Sequence, residues 1–332
     1  MGSEAQTQSP LQHWPRPLTF VLSGGGAYGA TQVGMIRALR QAGIDPDMVV
    51  GTSVGALNGT LLAANPILAV DRLTKIWNSL TESGVFGGRS RFGAALSAIR
   101  NGLKVHNPGL VSPEALQRLI DTHLPVSAIE ELSVPTGIVV TDALVGTPKV
   151  LSRGPISPAL RASAAIPGVF PPVGIDGCFY VDGGVSANVP IRQAVAFGAK
   201  SIVVLDANPG SMPGTLPDSV IGSIVHASAI MLRNQRADAV EDLVGKYPIL
   251  KLPPSTPPTK NSFDFEDSEA LIETGFDVTR DFLRQLPDLT DTSPTRAERT
   301  EEPPPPAPEP LTPEQTDGED RDNTGPQTRL RL

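Results

Sequence analysis

Cysteine is almost absent from this sequence of 332 residues, since Cys178 is the single one. A disulfide framework and a CxxC zinc or redox motif are therefore both excluded. Aromatic residues make up only 5% of the chain, against 32 glycines and 34 prolines, which is untypical of coiled coils and repeat proteins. Hydrophobic residues still reach 39%, so the chain can bury a sizeable core.

An excess of positive charge is also missing, because 27 basic residues face 35 acidic ones and the formal net charge is −8. Bulk electrostatics therefore argue against nucleic-acid binding. The charge is uneven along the chain. Residues 288–332 contain 11 acidic and 5 basic residues, a net charge of −6, which leaves −2 for residues 1–287. Most of the acidity belongs to the C-terminal segment, and the rest of the chain is close to neutral.

Targeting and membrane-spanning segments are not evident. The first 17 residues have neither a basic nor an apolar region of the kind found in secretory signals, so we expect a cytoplasmic protein. Two long stretches, Leu18–Ile36 and Val49–Val70, contain no charge, but glycine clusters and polar residues interrupt both of them. A spanning helix needs about 20 predominantly apolar residues. We interpret both stretches as buried strand–turn–helix units.

The two ends of the chain differ from its middle. Residues 288–332 include the run EEPPPPAPEP and contain no aromatic residue, valine or isoleucine. Such a segment cannot bury enough apolar surface to offset its chain entropy. We predict a disordered leader over residues 1–17, one folded domain over 18–287, and a disordered, acidic, proline-rich tail over 288–332 whose partner the sequence does not identify.

Apolar runs rich in β-branched residues alternate with amphipathic segments in the middle of the chain. This alternation predicts an α/β fold with three layers (α/β/α), in which helices cover both faces of a mostly parallel sheet. The strands are predicted at 18–23, 48–51, 137–144, 149–152, 178–181, 201–207 and 248–252, and the helices at 27–43, 54–64, 68–80, 112–123, 158–165, 187–198, 218–244 and 267–286.

The first motif is the glycine-rich turn Gly24–Gly29, which follows a predicted strand and opens a helix. It satisfies the GxGxxG pattern of dinucleotide-binding proteins, and Asp45 lies at a suitable distance downstream. Backbone N–H groups at such a turn bind negative charge in general. The charge can be a pyrophosphate or the oxyanion of an acyl-transfer intermediate.

The second motif is Gly51–Gly55, with the sequence GTSVG. It is a GxSxG pattern in the context that a nucleophilic serine needs, between a strand and a helix. Ser53 is therefore the candidate nucleophile, and the alternative is a serine that caps the helix in a glycine-rich turn.

A serine nucleophile needs a base, and none of the four histidines has a suitable context. The candidates are His13, His106, His123 and His226. Asp182 is a better candidate, because it ends a predicted strand and is followed by Gly183 and Gly184. An ordinary Asp-Gly turn would look the same.

Two further blocks accompany these motifs, RASAAIPGVFPP (161–172) and NVP (188–190). The order of the blocks along the chain is GGGAYG, GTSVG, RASAAIPGVFPP and DGG followed by NVP. In this order they resemble the patatin-like phospholipase family, and the resemblance extends from Leu18 to Leu286. The resemblance implies a Ser53–Asp182 dyad, an oxyanion hole formed by backbone N–H groups, and hydrolysis of lipid acyl esters without cofactor or metal. It assigns the oxyanion hole to Gly24, Gly25 and Gly26 and supporting roles to Gly29, Gly51, Gly55, Gly183 and Gly184. Many relatives carry a basic residue where this chain has Tyr28.

Residues 86–104 combine apolar residues at helical spacing with four basic residues and no acidic ones. This pattern suits a helix on an anionic membrane surface, a lid over the active site, or an ordinary surface helix. Two other functions stay open at this point. They are a Rossmann-type dinucleotide-binding protein and a non-catalytic lipid-binding or scaffold protein that works through its tail.

Overall fold

The computed structural model describes residues 11, 13–83, 113–167, 170–208, 230, 243, 245–255 and 267–286. Several predictions of the sequence analysis fall outside these residues. They are the basic amphipathic segment 86–104, almost all of the helix at 218–244, the tail over 288–332, and the histidines His106 and His226.

A mixed sheet of eight strands forms the centre of the described structure. Five strands, in the order β3-β2-β1-β7-β8, run parallel to one another, and β4, β5 and β6 add antiparallel pairs at the β3 side. The strands are β1 (Leu18–Leu22), β2 (Met48–Thr52), β3 (Thr136–Asp142), β4 (Pro148–Leu151), β5 (Val173–Ile175), β6 (Cys178–Asp182), β7 (Ser201–Leu205) and β8 (Ile249–Lys251).

Helices follow the strands as the alternating pattern predicts. The described helices are α1 (Gly29–Gln41), α2 (Val54–Ala64), α3 (Ala69–Ser83), α4 (Pro113–His123), α5 (Ile156–Ser163), α6 (Gly184–Ala187), α7 (Ile191–Phe197) and α8 (Ser268–Gln285). The helix predicted at 187–198 is shorter in the structure, because α7 begins at Ile191, directly after Pro190, and the short helix α6 ends where the prediction begins. The short strand β5 was not predicted.

Successive residues of the central strands pack into two different cores. Phe20, Val49 and Val203 belong to one cluster, together with α1, α2 and α8. Their neighbours Val21 and Val50 belong to another, together with α7. Since side chains alternate between the faces of a strand, both faces of the sheet are covered. The predicted three-layer α/β/α architecture with a mostly parallel sheet is therefore confirmed.

One edge of β3 brings two strands together end to end. β2 pairs with β3 as far as the register Thr52–Val139, and β6 ends on the adjacent register position, Asp182–Val140. β4 occupies the other edge of β3, so β2 and β6 share one edge and run toward each other along it. The residues at their carboxyl ends must therefore meet.

Helix α8 packs so closely against α1 that the backbones of the two helices are in contact. A side chain at Gly34 of α1 would overlap the Ile272 carbonyl oxygen, and one at Gly275 of α8 would overlap the Thr31 carbonyl oxygen. At the rim of this contact, the Arg37 guanidinium donates two hydrogen bonds of 2.8 and 2.7 Å to the Glu273 carboxylate. The contact ties the C-terminal helix to the helix that follows the glycine-rich turn.

Part of the predicted leader is packed onto the domain. Leu11 is 1% exposed and belongs to the main core, and Trp14 packs against that core. Arg16 donates a hydrogen bond of 2.9 Å to the Asp47 carboxylate. The ordered structure thus begins before residue 18, and the predicted boundary is too late for these residues.

Of the helices in the described residues, none has the length and apolar character that a membrane crossing requires.

Candidate active site

Ser53 stands between β2 and α2 in a strained turn. Its backbone has φ 54° and ψ −125°, a left-handed conformation that side-chain-bearing residues rarely adopt. A side chain at Gly51 would overlap the Gly55 carbonyl oxygen, and one at Gly55 would overlap the Leu22 carbonyl oxygen. Glycine is therefore required on both sides of Ser53, as the GxSxG pattern predicts, and the turn presents the serine hydroxyl at the start of α2.

The Ser53 hydroxyl donates a hydrogen bond of 2.7 Å to Oδ2 of Asp182. The other carboxylate oxygen, Oδ1, accepts a hydrogen bond of 2.7 Å from the Gly184 N–H. Asp182 is only 6% exposed. Burial raises the pKa of this carboxyl from 3.8 to about 6, although the hydrogen bonds from Gly184 and Ser53 act in the opposite direction. A carboxylate in contact with the serine is thus made more basic than usual.

The backbone around Asp182 is fixed on both sides. The Asp182 N–H donates to the Ala165 carbonyl oxygen at 2.9 Å, and its own carbonyl oxygen accepts a hydrogen bond of 2.9 Å from the Thr141 hydroxyl. A side chain at Gly183 would overlap the Val139 carbonyl oxygen. The DGG sequence therefore lets the end of β6 lie directly against β3, which sets the distance between Asp182 and Ser53.

Ser163 connects Ser53 to the sheet, a role that the sequence analysis did not find. Its hydroxyl accepts a hydrogen bond of 2.9 Å from the Ser53 N–H and donates one of 2.6 Å to the Val139 carbonyl oxygen. Ser163 is fully buried. Ser163 lies in the RASAAIPGVFPP block of the family resemblance, and this membership was the signal in the sequence that could have pointed to it.

The glycine-rich turn lies beside the serine, since a side chain at Gly24 would stand 3.3 Å from the Ser53 Cβ and 2.6 Å from the Asn188 amide oxygen. The Gly24 N–H donates to the Asn188 carbonyl oxygen at 3.1 Å. This bond contradicts the expectation that Gly24 contributes its N–H to an oxyanion hole, because the donor is already used. Within the described residues, the N–H groups of Gly25 and Gly26 have no acceptor.

The Gly24 carbonyl group is held as firmly as its N–H. It accepts hydrogen bonds from the Asn208 side-chain amide at 2.9 Å and from the Ser23 hydroxyl at 3.0 Å. In a planar trans peptide, the carbonyl and the following N–H point in opposite directions. Asn208 and Ser23 therefore also fix the direction of the Gly25 N–H.

A buried chain of amides supports the turn from behind, and the sequence analysis missed it. The Gln32 side chain donates to the carbonyl oxygens of Ser23 (2.9 Å) and Leu205 (3.1 Å). The Asn58 side chain donates to Gln32 Oε1 at 2.9 Å and accepts from the Trp77 indole at 3.1 Å. Polar side chains among the apolar residues of α1 and α2 were the signal for this network.

The features that suggested other chemistry do not meet at this site. Asp45 precedes β2 rather than following it, and it accepts a hydrogen bond of 2.9 Å from Arg40. A ribose-binding acid would lie outside the carboxyl ends of the strands, beside the glycine-rich turn. His123 ends α4, and the Tyr28 side chain is buried. No group of three or more metal-ligating side chains occurs among the described residues.

The sequence profile of the family described as "Patatin-like phospholipase" matches residues 20–195, which is more than half of the chain. The match includes the glycine-rich turn, Ser53 and Asp182. The chain belongs to the patatin-like phospholipase family. The resemblance inferred from the ordered motifs is thereby confirmed, and so is the patatin-like fold.

Two relatives resemble this chain over about 60% of its length. The chain is 31% identical over 202 residues to an uncharacterized NTE family protein of Mycobacterium bovis. This alignment covers 61% of this chain and 52% of the relative. It is 30% identical over 197 residues to lysophospholipase NTE1 of Mycosarcoma maydis, covering 59% of this chain and 10% of the relative. The chain thus spans about half the length of the first of these relatives and a tenth of the second.

Among solved structures, VipD from Legionella pneumophila has a TM-score of 0.41 and 17% sequence identity to this chain. The superposition covers 81% of this chain and 67% of VipD.

Proposed function

We propose that this patatin-like phospholipase family member hydrolyses acyl esters of lipids with Ser53 as the nucleophile and Asp182 as the general base. The observation that carries the proposal is the 2.7 Å hydrogen bond from the Ser53 hydroxyl to a buried carboxylate. Because burial raises the pKa of Asp182 to about 6, the carboxylate is ionised at neutral pH and still basic enough to accept a proton. General-base assistance is typically worth about 10² to 10⁴ in rate.

In the first step, the Ser53 Oγ attacks the ester carbonyl carbon while its proton moves to Oδ2 of Asp182. The carbonyl π electrons go to oxygen and form an oxyanion. In the proposed mechanism, this oxyanion accepts hydrogen bonds from the N–H groups of Gly25 and Gly26. Removing one such donor costs about 10² to 10³ in rate in other hydrolases.

The tetrahedral intermediate then collapses to an acyl-serine ester. The bond to the alcohol oxygen breaks, and the protonated Asp182 returns its proton to that oxygen. Water attacks the acyl-serine carbonyl with Asp182 again as the base, and Ser53 leaves with the proton. One acyl ester and one water give a carboxylic acid and an alcohol, and both residues return to their starting protonation states.

The dyad also explains why no histidine is needed. The hydrogen bond from the Gly184 N–H to Oδ1 orients the carboxylate, so Oδ2 faces Ser53 without a third residue. In a triad, an aspartate orients a histidine that takes the proton. Here the aspartate takes that position itself.

The proposal is tested by purifying Ser53→Ala and Asp182→Asn and measuring hydrolysis of lysophospholipids and of p-nitrophenyl acyl esters. We expect both variants to lose at least about 10³-fold in kcat/KM. Ser53→Ala should also lose covalent labelling by a fluorophosphonate. Matched controls are Ser79→Ala on α3 and Asp176→Asn in the exposed turn before β6.

Both controls should keep the native rate and labelling. Native activity in Asp182→Asn would refute the dyad, and labelling that persists in Ser53→Ala would place the nucleophile elsewhere. His226→Ala should keep at least half of the native activity, and its inactivity would favour a triad hydrolase instead.

A further inference from the structure

A cavity of about 270 Å³ lies beside α5, and neither Ser53 nor Asp182 lines it. Most of its lining residues are apolar, among them Leu116 of α4, Pro158 of α5 and Phe170. At about 30 Å³ for each water-sized group, it has room for at least about nine of them. This is enough for a small polar head and a short length of hydrocarbon.

Arg161 is the charged side chain in the lining of this cavity. Pro158 and Arg161 are three residues apart on α5, so both project from the same face of the helix. The half-buried guanidinium has one hydrogen-bond partner in the described part of the chain, the Gln117 side-chain oxygen at 3.3 Å. No described carboxylate forms an ion pair with it. The nearby Asp121 carboxylate accepts both of its hydrogen bonds from the Gln117 amide instead.

A guanidinium that has no ion-pair partner among the described residues and lies beside apolar side chains indicates the chemistry of a ligand. Arginine keeps its charge in proteins and offers five N–H donors in a planar fork, which suits the two oxygens of a carboxylate or a phosphate. A charge that is partly withdrawn from water is stabilised by an opposite charge. The apolar walls beside it favour hydrocarbon.

We propose that this cavity binds an anionic single-chain amphiphile, with its carboxylate or phosphate on Arg161 and the start of its chain against Leu116, Pro158 and Phe170. A fatty acid or a lysophospholipid would provide this chemistry. The choice of ligand class rests in part on the proposed function, because the reaction would handle such molecules.

The cavity is connected to the catalytic residues through one backbone group. Ala165 lines the cavity, and its carbonyl oxygen accepts the hydrogen bond from the Asp182 N–H. A ligand in the cavity therefore contacts the segment that holds the general base, without contacting the general base itself.

The test uses the full-length Ser53→Ala protein, in which the proposed hydrolysis cannot consume or release ligand. Isothermal titration calorimetry is carried out with decanoate, decyl phosphate, decyltrimethylammonium and decanol, each below its micelle concentration. We expect the two anions to bind at least 10-fold more tightly than the cation and the alcohol. A preference between decanoate and decyl phosphate would distinguish a fatty acid from a phosphate head group.

Two cavity variants are combined with Ser53→Ala. Arg161→Gln removes the charge, and Pro172→Glu places a competing carboxylate at the exposed rim of the cavity. Each should weaken anion binding at least 10-fold, whereas Arg118→Gln, on the exposed side of α4, should leave it unchanged. Two different variants are used so that a folding defect in one of them is not mistaken for the loss of the binding site. Thermal unfolding of each variant checks that it is folded.

Equal affinity for the cation and the anions would overturn the inference, as would anion binding that survives both cavity variants. Fluorophosphonate labelling of Arg161→Gln with Ser53 intact separates this inference from the proposed function. If Arg161→Gln is labelled at the native rate but no longer binds the anions, the result supports an anion site that is separate from Ser53. Anion binding that depends on Arg161 in a protein without esterase activity would contradict only the proposed function.

Discussion

Replacing Asp182 by asparagine should make the protein more stable at neutral pH while it abolishes activity. The folded protein raises the pKa of Asp182 from 3.8 to about 6. Between these pH values, the folded state holds a proton that the unfolded chain has lost. The contribution of this group to stability is therefore complete at acid pH and is lost as the pH rises through about 6.

The size of the effect follows from the two pKa values. Each pH unit between them corresponds to about 1.4 kcal/mol, so ionising the buried carboxylate costs about 3 kcal/mol of the free energy of unfolding. The asparagine side chain cannot ionise and avoids this cost. The difference in free energy of unfolding between Asp182→Asn and the native protein should grow by about 2 to 3 kcal/mol from pH 4 to pH 7 and stay level above pH 7.

The assay is urea unfolding of both proteins at half-unit steps from pH 4 to pH 8. All other titrating groups are shared, so the difference between the two curves isolates Asp182. Ser53→Ala removes a hydrogen bond that lowers the pKa of Asp182, so its loss of stability should occur at higher pH. A difference between Asp182→Asn and the native protein that does not change with pH would refute the argument that burial makes this carboxylate basic.

Three further changes test the surroundings of the dyad. Ser163→Ala leaves the buried Ser53 N–H without its acceptor, which should cost about 1 to 3 kcal/mol in urea unfolding and lower kcat. Asn208→Ala removes one of the two hydrogen bonds that hold the Gly24 carbonyl, so kcat should fall about 10-fold in steady-state kinetics while KM stays nearly constant. An equal rise in KM would contradict a positioning role. Gly34→Ala forces α1 and α8 apart, and thermal unfolding should show a loss of about 1 to 3 kcal/mol. Gly174→Ala in β5, where an added methyl group makes only ordinary contacts, should not show this loss.

The parts of the site that lie in short motifs could be predicted from the sequence. Gly51 and Gly55 are required by local backbone contacts around Ser53, so the pattern itself contains the physical reason. Asp182 was a candidate base from its place at a strand end, but its pairing with Ser53 followed only from the family resemblance, because their meeting depends on how β2 and β6 share an edge of β3. No local pattern contains that information.

Most of the contacts that the sequence analysis missed join residues far apart in the chain. The Gly24 N–H is used by Asn188, which excludes Gly24 as a donor, and the glycine pattern alone cannot show this. Gln32 and Asn58 are ordinary helical residues until the fold places them against one another. Their polar side chains on buried helix faces were visible in the sequence, but their partners were not.

The packing of α8 on α1 has a consequence for how the chain can be made and divided. The family match ends at residue 195, whereas β7 pairs with β1 and α8 covers α1 from beyond that point. On the ribosome, the glycine-rich turn and Ser53 are synthesised more than 200 residues before α8, so α1 stays uncovered until α8 has emerged. The proposed active site should thus be completed only after α8 has packed onto α1, and a fragment cut at the family boundary would leave the α1 face that α8 covers exposed and prone to aggregation.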